Sequence, residues 1–171
     1  MRILNTAVCT LEPLVAAHAQ EMFGVLSDPA IYEFENAPPA SAAWLAERYR
    51  VLERRASRDG SQIWLNWVVR LPNGALAGYV QATVLESGVA LVAYELASRF
   101  WRQGIGSNAV SAMLQELHAA YRVDLFCAIL KAANYRSAGL LRKLGFVSAS
   151  AAEAAGFQAE PDEIVMRKPA R

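Results

Sequence analysis

The strongest constraint on the fold is an apolar run that leads through two glycines into a helical segment and then into a second apolar run. Residues 89–97, "VALVAYELA", have the composition of a strand, and apolar residues recur at helical spacing from Ile105 to Tyr121. "VDLFCAIL", which begins at Val123, is a continuous apolar run typical of a strand buried on both faces. This order predicts a parallel pair of strands joined by a right-handed crossover, with the helix N-terminus at the C-terminal end of the first strand.

The segment before this unit predicts an antiparallel meander over roughly residues 62–97. "QIWLNWVVR" and "ALAGYVQATVL" flank the tight turn "PNG" at 72–74 and form a hairpin, and residues 89–97 supply its third neighbouring strand. Further upstream, "TAVCTLEP" predicts a short strand, residues 14–26 predict a helix, and Ser41 is placed to cap a second helix. The aromatic residues of the meander either fill the core or line a pocket on one face; they are Trp64, Trp67, Tyr79 and Tyr94.

The segment after the crossover predicts a short helix and a last pair of strands. Asn134 is an N-cap candidate for "NYRSAGLLRKLGF", and Gly145 lies just beyond the end of that helix. "FVSAS" and "EIVMR" predict a final hairpin, joined by an alanine-rich loop that is helical in part. We therefore expect an α/β fold (an α+β mixed sheet) with helices on both faces, and a single domain over residues 1–171 without an internal linker.

Composition and charge exclude several classes of partner. The 171 residues are 54% hydrophobic, which is enough for one domain with a sizeable core. Lys and Arg number 17 against 16 Asp and Glu, so the chain carries no basic field for nucleic acid or an anionic membrane. No His, Cys, Asp or Glu cluster has metal-ligand spacing, and the N-terminal apolar stretch is too short for a signal peptide. Cys9 and Cys127 are expected to be free thiols in apolar strands, which indicates a reducing cytoplasm. We therefore expect a cytoplasmic protein that binds no metal.

The glycine loop "RQGIGS" at residues 102–107 is the main candidate for a binding site. Several of its amides, together with the positive end of the helix dipole, can bind a diphosphate. A side chain at Gly104 or Gly106 would forbid the required backbone dihedrals or block the approach of the anion. The alternative is that the two glycines only make a tight turn between strand and helix.

Two other nucleotide sites are excluded by the residues that follow the glycines. A Walker loop needs Lys and then Ser or Thr after its last glycine, and here Gly106 is followed by Ser107 and Asn108. A dinucleotide fingerprint needs a third glycine and an acidic residue at the end of the next strand. Ala109 takes the place of that glycine, and Asp124 lies at the start of the strand.

Two motifs about thirty residues apart, "YELASRFWRQGIGSNAV" and "NYRSAGLLRKLGF", resemble those of the GNAT superfamily of acyl-CoA-dependent N-acetyltransferases, and specifically its RimJ/RimL-type branch. The resemblance covers nearly the whole chain and is strongest over residues 94–146. Trp101 departs from the Arg or Gln that is usual in the superfamily, but an aromatic residue is familiar here in this branch. The resemblance implies a GNAT-like fold whose two central parallel strands splay apart, with acetyl-CoA as cosubstrate.

The same resemblance implies a set of coenzyme-binding residues. Leu96 and Ala97 would pair through their backbone with the pantetheine arm. Asn134 would hydrogen-bond the pantetheine; the alternative is a plain N-cap, and both roles can hold at once. Ser137 would lie near the thiol, with an ordinary first-turn residue as the alternative. The diphosphate would bind the amides of Arg102, Gln103, Gly104, Ile105, Gly106, Ser107 and Asn108.

The chemistry expected for amine acetylation is direct attack, because neither cysteine has an evident base partner. The Leu96 amide would hold the thioester oxygen. Glu95 is the first candidate for the general base, although strand alternation also allows it a structural role on the opposite layer; Glu33, Glu35 and water are the alternatives.

The source of the proton for the thiolate is open. The tyrosine that many superfamily members use is replaced by Leu141, which leaves Ser137, Tyr135 or solvent. We therefore take Glu95, Asn134 and Ser137 as the catalytic candidates.

The expected function is transfer of an acetyl group to a primary amine, either a protein N-terminus or a small molecule. A catalytically silent acyl-CoA-binding sensor or regulatory subunit is the alternative, and an interaction module without coenzyme is a third class. Exposed edge strands make a homodimer a further expectation.

Overall fold

One mixed sheet organises the computed structural model, which describes residues 1–170. The strands are β1 (Leu4–Asn5), β2 (Thr10–Pro13), β3 (Gln62–Arg70), β4 (Leu76–Leu85), β5 (Val89–Leu96), β6 (Leu125–Lys131), β7 (Val147–Ser148) and β8 (Glu163–Pro169). The helices are α1 (Ala19–Leu26), α2 (Ala42–Leu52), α3 (Ile105–Tyr121), α4 (Tyr135–Lys143) and α5 (Ala151–Ala154). The sheet has 8 strands in the order β1-β2-β3-β4-β5-β6-β8-β7.

The meander and the parallel unit are present as predicted. β3 pairs with β4 and β4 with β5, both antiparallel, and α3 then leads to β6, which is parallel to β5. The parallel pairing is short: it runs from Val89 opposite Leu125 to Leu91 opposite Cys127 and ends there. The remainder of β5 is therefore unpaired on its β6 side, which is the splay that the family resemblance implied.

The sequence pattern did not predict the position of the last strand, β8, in the sheet. β7 and β8 pair antiparallel, as expected for the final hairpin. However, β8 also pairs with β6 along its full length, from Leu125 opposite Pro169 to Lys131 opposite Glu163. β8 therefore lies between β6 and β7 and fixes the position of β6 at the C-terminal end, where β6 has left β5.

Helices cover both faces of the sheet. Side chains on successive strand residues point to opposite faces, so both faces carry apolar residues that a helix can bury. On one face, Met22 of α1 and Tyr49 of α2 pack with Val68 and Leu76. On the other face, Met113 of α3 and Leu141 of α4 belong to the main core. Within residues 1–170, no helix is long and apolar enough to cross a membrane.

Two local predictions are resolved by hydrogen bonds. Ser41 caps α2, since its hydroxyl accepts from the Trp44 amide at 3.0 Å. Trp67 is completely buried and its indole N–H donates to the Arg2 carbonyl at 3.0 Å, so it fills the core and lines no pocket. The helix predicted from residue 14 begins later, because residues 16–18 form a 3-10 turn that leads into α1.

Candidate active site

The gap between β5 and β6 is lined by backbone amides of β5. The Ala97 amide donates to the Ala77 carbonyl at 2.9 Å, on the β4 side. Because backbone groups alternate in direction along a strand, the amides of Tyr94 and Leu96 face the other way, into the gap. The Leu96 amide therefore has the orientation expected of it, and the Tyr94 amide is a second donor that sequence analysis did not identify.

Ala97 does not offer the backbone contacts expected of it. Its amide is paired with Ala77, and its carbonyl accepts from the Phe100 amide at 2.9 Å. Both backbone polar groups are thus used within the chain, so we remove Ala97 from the candidate contacts. The chain turns at this residue, where a 3-10 helix over Ser98–Phe100 ends β5.

Gly78 on β4 holds this end of β5 in place by its lack of a side chain. A Cβ atom there would lie 2.0 Å from the Glu95 carbonyl oxygen and 2.7 Å from the Leu96 Cα. The register of β4 against β3 shifts nearby, between Val69 and Arg70. Any other residue at position 78 would push β5 away at the residues that border the gap.

The loop before α3 presents unpaired amides at a helix N-terminus. Gly104 is the N-cap and has no side chain to satisfy the first helical N–H groups. Within residues 1–170, no protein oxygen accepts a hydrogen bond from the amides of residues 102–107. The Asn108 amide differs: it donates to the Gly104 carbonyl at 3.0 Å as the first bond of the helix, which corrects the expectation that it binds the diphosphate.

The two glycines of the loop are required for different reasons. Gly104 has φ +78°, in the left-handed region that glycine adopts without strain. Gly106 is needed for packing: a Cβ atom there would lie 3.0 Å from Leu140 Cδ1 and 3.6 Å from Leu96 Cδ1. Glycine is therefore needed at 106 so that α3 can pack against α4 and β5, and not, as the sequence suggested, to let an anion approach.

Trp101 and Arg136 tie the loop to its surroundings. The Trp101 indole donates to the Leu96 carbonyl at 2.7 Å, which fixes the loop on the end of β5. The Arg136 guanidinium lies 4.8 Å from the centre of the Trp101 ring and donates to Glu33 at 2.5 Å. Glu33 is thus occupied by an ion pair with α4, which disfavours it as the base.

Asn134 and Ser137 meet at the first turn of α4. The Asn134 side-chain oxygen accepts from the Ser137 amide at 3.0 Å, so Asn134 is the N-cap, as the simpler alternative predicted. The Ser137 hydroxyl lies 2.9 Å from the Tyr94 hydroxyl, and the Tyr94 hydroxyl also donates to the Ser137 carbonyl at 3.2 Å. Tyr135, the other proton source considered, is 64% exposed and stacks edge-on against Phe34 at 6.0 Å.

Tyr94 was considered only as a core or pocket residue, yet it connects β5 to α4 at the gap. It lies three residues beyond the last residue of β5 that pairs with β6, on the face that packs against α3 and α4. Burial raises the pKa of Tyr94 to about 12, and the hydrogen bond with Ser137 opposes that rise.

Glu95 points to the opposite face, toward α1 and α2. It is directly across from Tyr79 on β4, and no ion pair within residues 1–170 involves it. Burial raises the pKa of the Glu95 carboxyl, interaction with the Tyr79 hydroxyl lowers it in part, and the charge of Glu35 raises it. The salt-bridged structural role considered for Glu95 is therefore absent from the described chain.

Tyr32, Tyr49 and Glu35 lie close enough to Glu95 for their pKa values or that of Glu95 to respond to the charge between them. The Tyr32 hydroxyl donates to the Leu26 carbonyl at 2.7 Å, whereas the Tyr49 hydroxyl is buried without a hydrogen-bond partner within residues 1–170. Burial raises the pKa of Glu35, as do the charges of nearby carboxylates, while Lys131 lowers it. Burial and the charge of Glu35 thus disfavour the ionised form of Glu95, and a cation bound beside the two carboxyls would favour it.

The two cysteines do not favour covalent chemistry. Burial raises the pKa of the Cys9 and Cys127 thiols, which disfavours the reactive thiolate. Among residues 1–170, no group of three or more His, Cys, Asp or Glu side chains is placed to hold a metal ion.

Comparisons with known proteins identify a family and a fold for the chain. The family profile described as "Acetyltransferase (GNAT) domain" matches residues 9–147. RimL, the ribosomal L7/L12 alpha-N-protein acetyltransferase in complex with coenzyme A, has a similar structure (TM-score 0.81, 14% identity, 98% of this chain and 98% of that chain). So does the ribosomal-protein-S5-alanine acetyltransferase from Vibrio fischeri (TM-score 0.78, 18% identity, 99% and 97%).

A third similar structure is the microcin C7 self-immunity acetyltransferase MccE in complex with acetyl-CoA and AMP (TM-score 0.77, 16% identity, 96% and 93%). A search of the curated protein sequences gave no significant match. The presence of RimL among the similar structures is consistent with the RimJ/RimL-type branch. Since the family profile spans most of the chain, the protein belongs to the GNAT family of acetyltransferases.

Proposed function

We propose that the protein is an acetyl-CoA-dependent N-acetyltransferase that transfers the acetyl group to a primary amine by direct attack. One observation carries the proposal: the unpaired amides at the start of α3 lie next to a gap into which the amides of Tyr94 and Leu96 point. The first set suits an anionic diphosphate, and the second suits an extended amide-containing arm. The coenzyme A in the RimL structure and the acetyl-CoA in the MccE structure support this ligand class.

Each end of the ligand has its own set of residues. The amides of residues 102–107 and the α3 dipole bind the diphosphate, with Arg102 adding charge at the rim. Leu96 and Tyr94 pair with the pantetheine arm and hold the thioester oxygen as it gains negative charge. Asn134 acts chiefly by capping α4, which places Ser137 beside the sulfur.

Deprotonation of the amine and stabilisation of the departing sulfur take place on opposite faces of β5. Glu95, on the α1 and α2 face, accepts the proton of the attacking amine, while Ser137, on the α3 and α4 face, serves the departing sulfur. Amine groups have pKa values of about 8 for an α-amine and about 10.4 for lysine. The raised pKa of Glu95 therefore brings it closer to that of the amine it must deprotonate.

The acceptor is a protein N-terminus or a small-molecule primary amine. Glu95 and Glu35 favour approach of the amine as its ammonium form, from the face that α1 and α2 cover. An α-amine needs less help than a lysine-like amine, because its pKa is lower. The names of RimL and of the S5-alanine enzyme support protein N-termini as the first acceptors to screen.

Calorimetric titration of acetyl-CoA tests the coenzyme site. We expect micromolar affinity for wild type and none for Gly104→Asp, which places bulk and negative charge where the diphosphate binds. Gly60→Asp is the matched control, since Gly60 also has φ +78° and a Cβ there meets nothing within 4 Å. Equal binding by Gly104→Asp, or no binding by folded wild type, would contradict the proposal.

An acceptor screen then tests transfer. Wild type should release CoA thiol when a peptide α-amine or a small primary amine is supplied. Binding of acetyl-CoA without thiol release across the panel would favour the silent-sensor alternative over the enzyme.

A further inference from the structure

We propose that Tyr94 is a positioning residue for Ser137: its hydroxyl releases the Ser137 carbonyl and donates to the Ser137 hydroxyl oxygen when that hydroxyl turns to the coenzyme sulfur. The inference rests on the proposed function and concerns how its leaving group is stabilised.

Two contacts between the same pair of residues make this exchange possible. The Tyr94 hydroxyl lies 2.9 Å from the Ser137 hydroxyl and 3.2 Å from the Ser137 carbonyl oxygen. Both oxygens are within hydrogen-bond reach of a single tyrosine proton. The change from one acceptor to the other thus requires a rotation of hydroxyl groups and no movement of the backbone.

The Tyr94 hydroxyl must change its acceptor when Ser137 donates to the sulfur. Tyr94 and Ser137 have one hydroxyl proton each. Without a coenzyme, Tyr94 donates to the carbonyl while Ser137 donates to Tyr94, which satisfies both. Once Ser137 donates to the sulfur, its oxygen needs a donor, and Tyr94 is the hydroxyl in contact with it. Donation by Tyr94 polarises the Ser137 O–H bond and strengthens its hydrogen bond to the sulfur.

The pair stabilises a thiolate without transferring a proton to it. When the carbon–sulfur bond breaks, the electron pair goes to sulfur, and the thiolate then takes its proton from solvent. A thiol has a pKa of about 8.5, well below that of Tyr94, so a thiolate does not remove the tyrosine proton. Tyr94 therefore acts through Ser137 as a hydrogen-bond donor.

The contact joins two elements that the sheet leaves apart. Tyr94 is on β5 and Ser137 is on α4, which follows β6, and β5 and β6 have separated before Tyr94. Asn134 holds the Ser137 amide, so the serine backbone is fixed and only its hydroxyl is free to turn. This hydrogen bond lies beside the gap, at the edge of the main core against which Tyr94 packs.

The test is the thiol pKa of bound CoA, followed by thiolate ultraviolet absorption across pH. A CoA analogue without the sulfur atom serves as the blank and removes the absorption of the protein's own tyrosines and cysteines. The variants are Tyr94→Phe, Ser137→Ala and the double change. Tyr121→Phe, at the far end of α3, is the matched control.

We expect wild type to lower the thiol pKa of bound CoA relative to free CoA. Ser137→Ala should abolish the lowering, Tyr94→Phe should reduce it, and Tyr94→Phe should add nothing to Ser137→Ala. In turnover, Tyr94→Phe should lower kcat about tenfold, the effect of one hydrogen bond, while KM for acetyl-CoA changes less than about twofold.

The inference is overturned if CoA bound to folded Tyr94→Phe has the same thiol pKa as CoA bound to wild type. A further effect of Tyr94→Phe in the Ser137→Ala background also overturns it, because Tyr94 would then act without Ser137. The titration needs bound CoA but no acceptor. A wild type that binds CoA and acetylates nothing therefore contradicts the proposed function, while the titration still decides the role of Tyr94.

Discussion

At the scale of single residues, the site depends on adjacent positions that point in opposite directions. Tyr94 and Leu96 direct their side chains to the α3 and α4 face, and Glu95 directs its carboxyl to the α1 and α2 face. The sequence identified Glu95 but left its role open. Its pKa depends on burial and on Tyr79 across the strand, and neither can be derived from spacing along the chain.

Glu95→Gln is expected to lower kcat by roughly 10²-fold, the usual effect of losing a general base. Wild-type kcat/KM should rise with pH through the raised pKa of Glu95, because only the carboxylate accepts a proton, and Glu95→Gln should lose this rise. A pH–rate profile measures both effects. Glu86→Gln, at the exposed β4–β5 turn, is the control. An unchanged profile in Glu95→Gln would transfer the role to another group.

The same substitution should stabilise the fold at neutral pH. Because the pKa of Glu95 is higher in the folded state than in the unfolded state, the folded state binds more protons, and the free energy of unfolding falls as pH rises through the folded pKa. Glutamine removes this cost. We expect a higher Tm for Glu95→Gln at pH 7 and a smaller difference at pH 4, both measured by calorimetry. A lower Tm for Glu95→Gln at pH 7 would mean that the folded protein stabilises the ionised Glu95 carboxylate, contrary to this expectation.

At the scale of secondary-structure elements, local features, the meander and the parallel β5–β6 crossover were predictable from the sequence. The position of the last strand was not. The bounds of α3 follow from its apolar period and from Gly104, both within the segment itself. The position of β8 beside β6 depends on a chain that returns from the α5 region, and a short apolar strand has no local feature that selects its neighbour. The need for glycine at 78 was missed for the same reason, since it arises from a close approach of β4 to β5.

Gly78→Ala should destabilise the fold by about 3 kcal/mol and weaken acetyl-CoA binding, because the Cβ atom collides with backbone atoms of Glu95 and Leu96. Gly24→Ala is the matched control. Its helical position meets nothing within 4 Å, so the change should stabilise by about 0.5–1 kcal/mol. Chemical denaturation measures both free energies of unfolding. Equal stability of Gly78→Ala and wild type would show that β4 and β5 yield easily at this point.

At the scale of the whole molecule, one sheet separates two helical layers and opens between β5 and β6. In the proposed function, the coenzyme and the amine approach this gap from different faces. Net charge predicted none of this, because a formal charge of +1 for the whole chain does not show that Glu35 lies near Glu95. The paired glycine and asparagine motifs led to the proposed coenzyme side, since its donors follow one another in sequence. The proposed acceptor side lies on the face that α1 and α2 cover, and sequence spacing does not bring these helices to β5.

Coenzyme binding should raise the stability of the whole fold. Acetyl-CoA at about 100 times its Kd contributes about 2.7 kcal/mol, which corresponds to a rise in Tm of about 5–10 °C for a chain of this size. The rise should vanish in Gly104→Asp and persist in Gly60→Asp, as measured by scanning calorimetry. A full rise in Gly104→Asp would place the coenzyme elsewhere.

The most direct measurement is a backbone amide NMR titration with acetyl-CoA. If the gap and the α3 N-terminus form the coenzyme site, the amide signals of Tyr94, Leu96 and residues 104–107 shift on binding, while the Ala97 amide, already bonded to Ala77, shifts little. Large shifts confined to other parts of the chain, or saturation binding without shifts at Leu96 and Gly104, would contradict the site and the acetyl transfer derived from it.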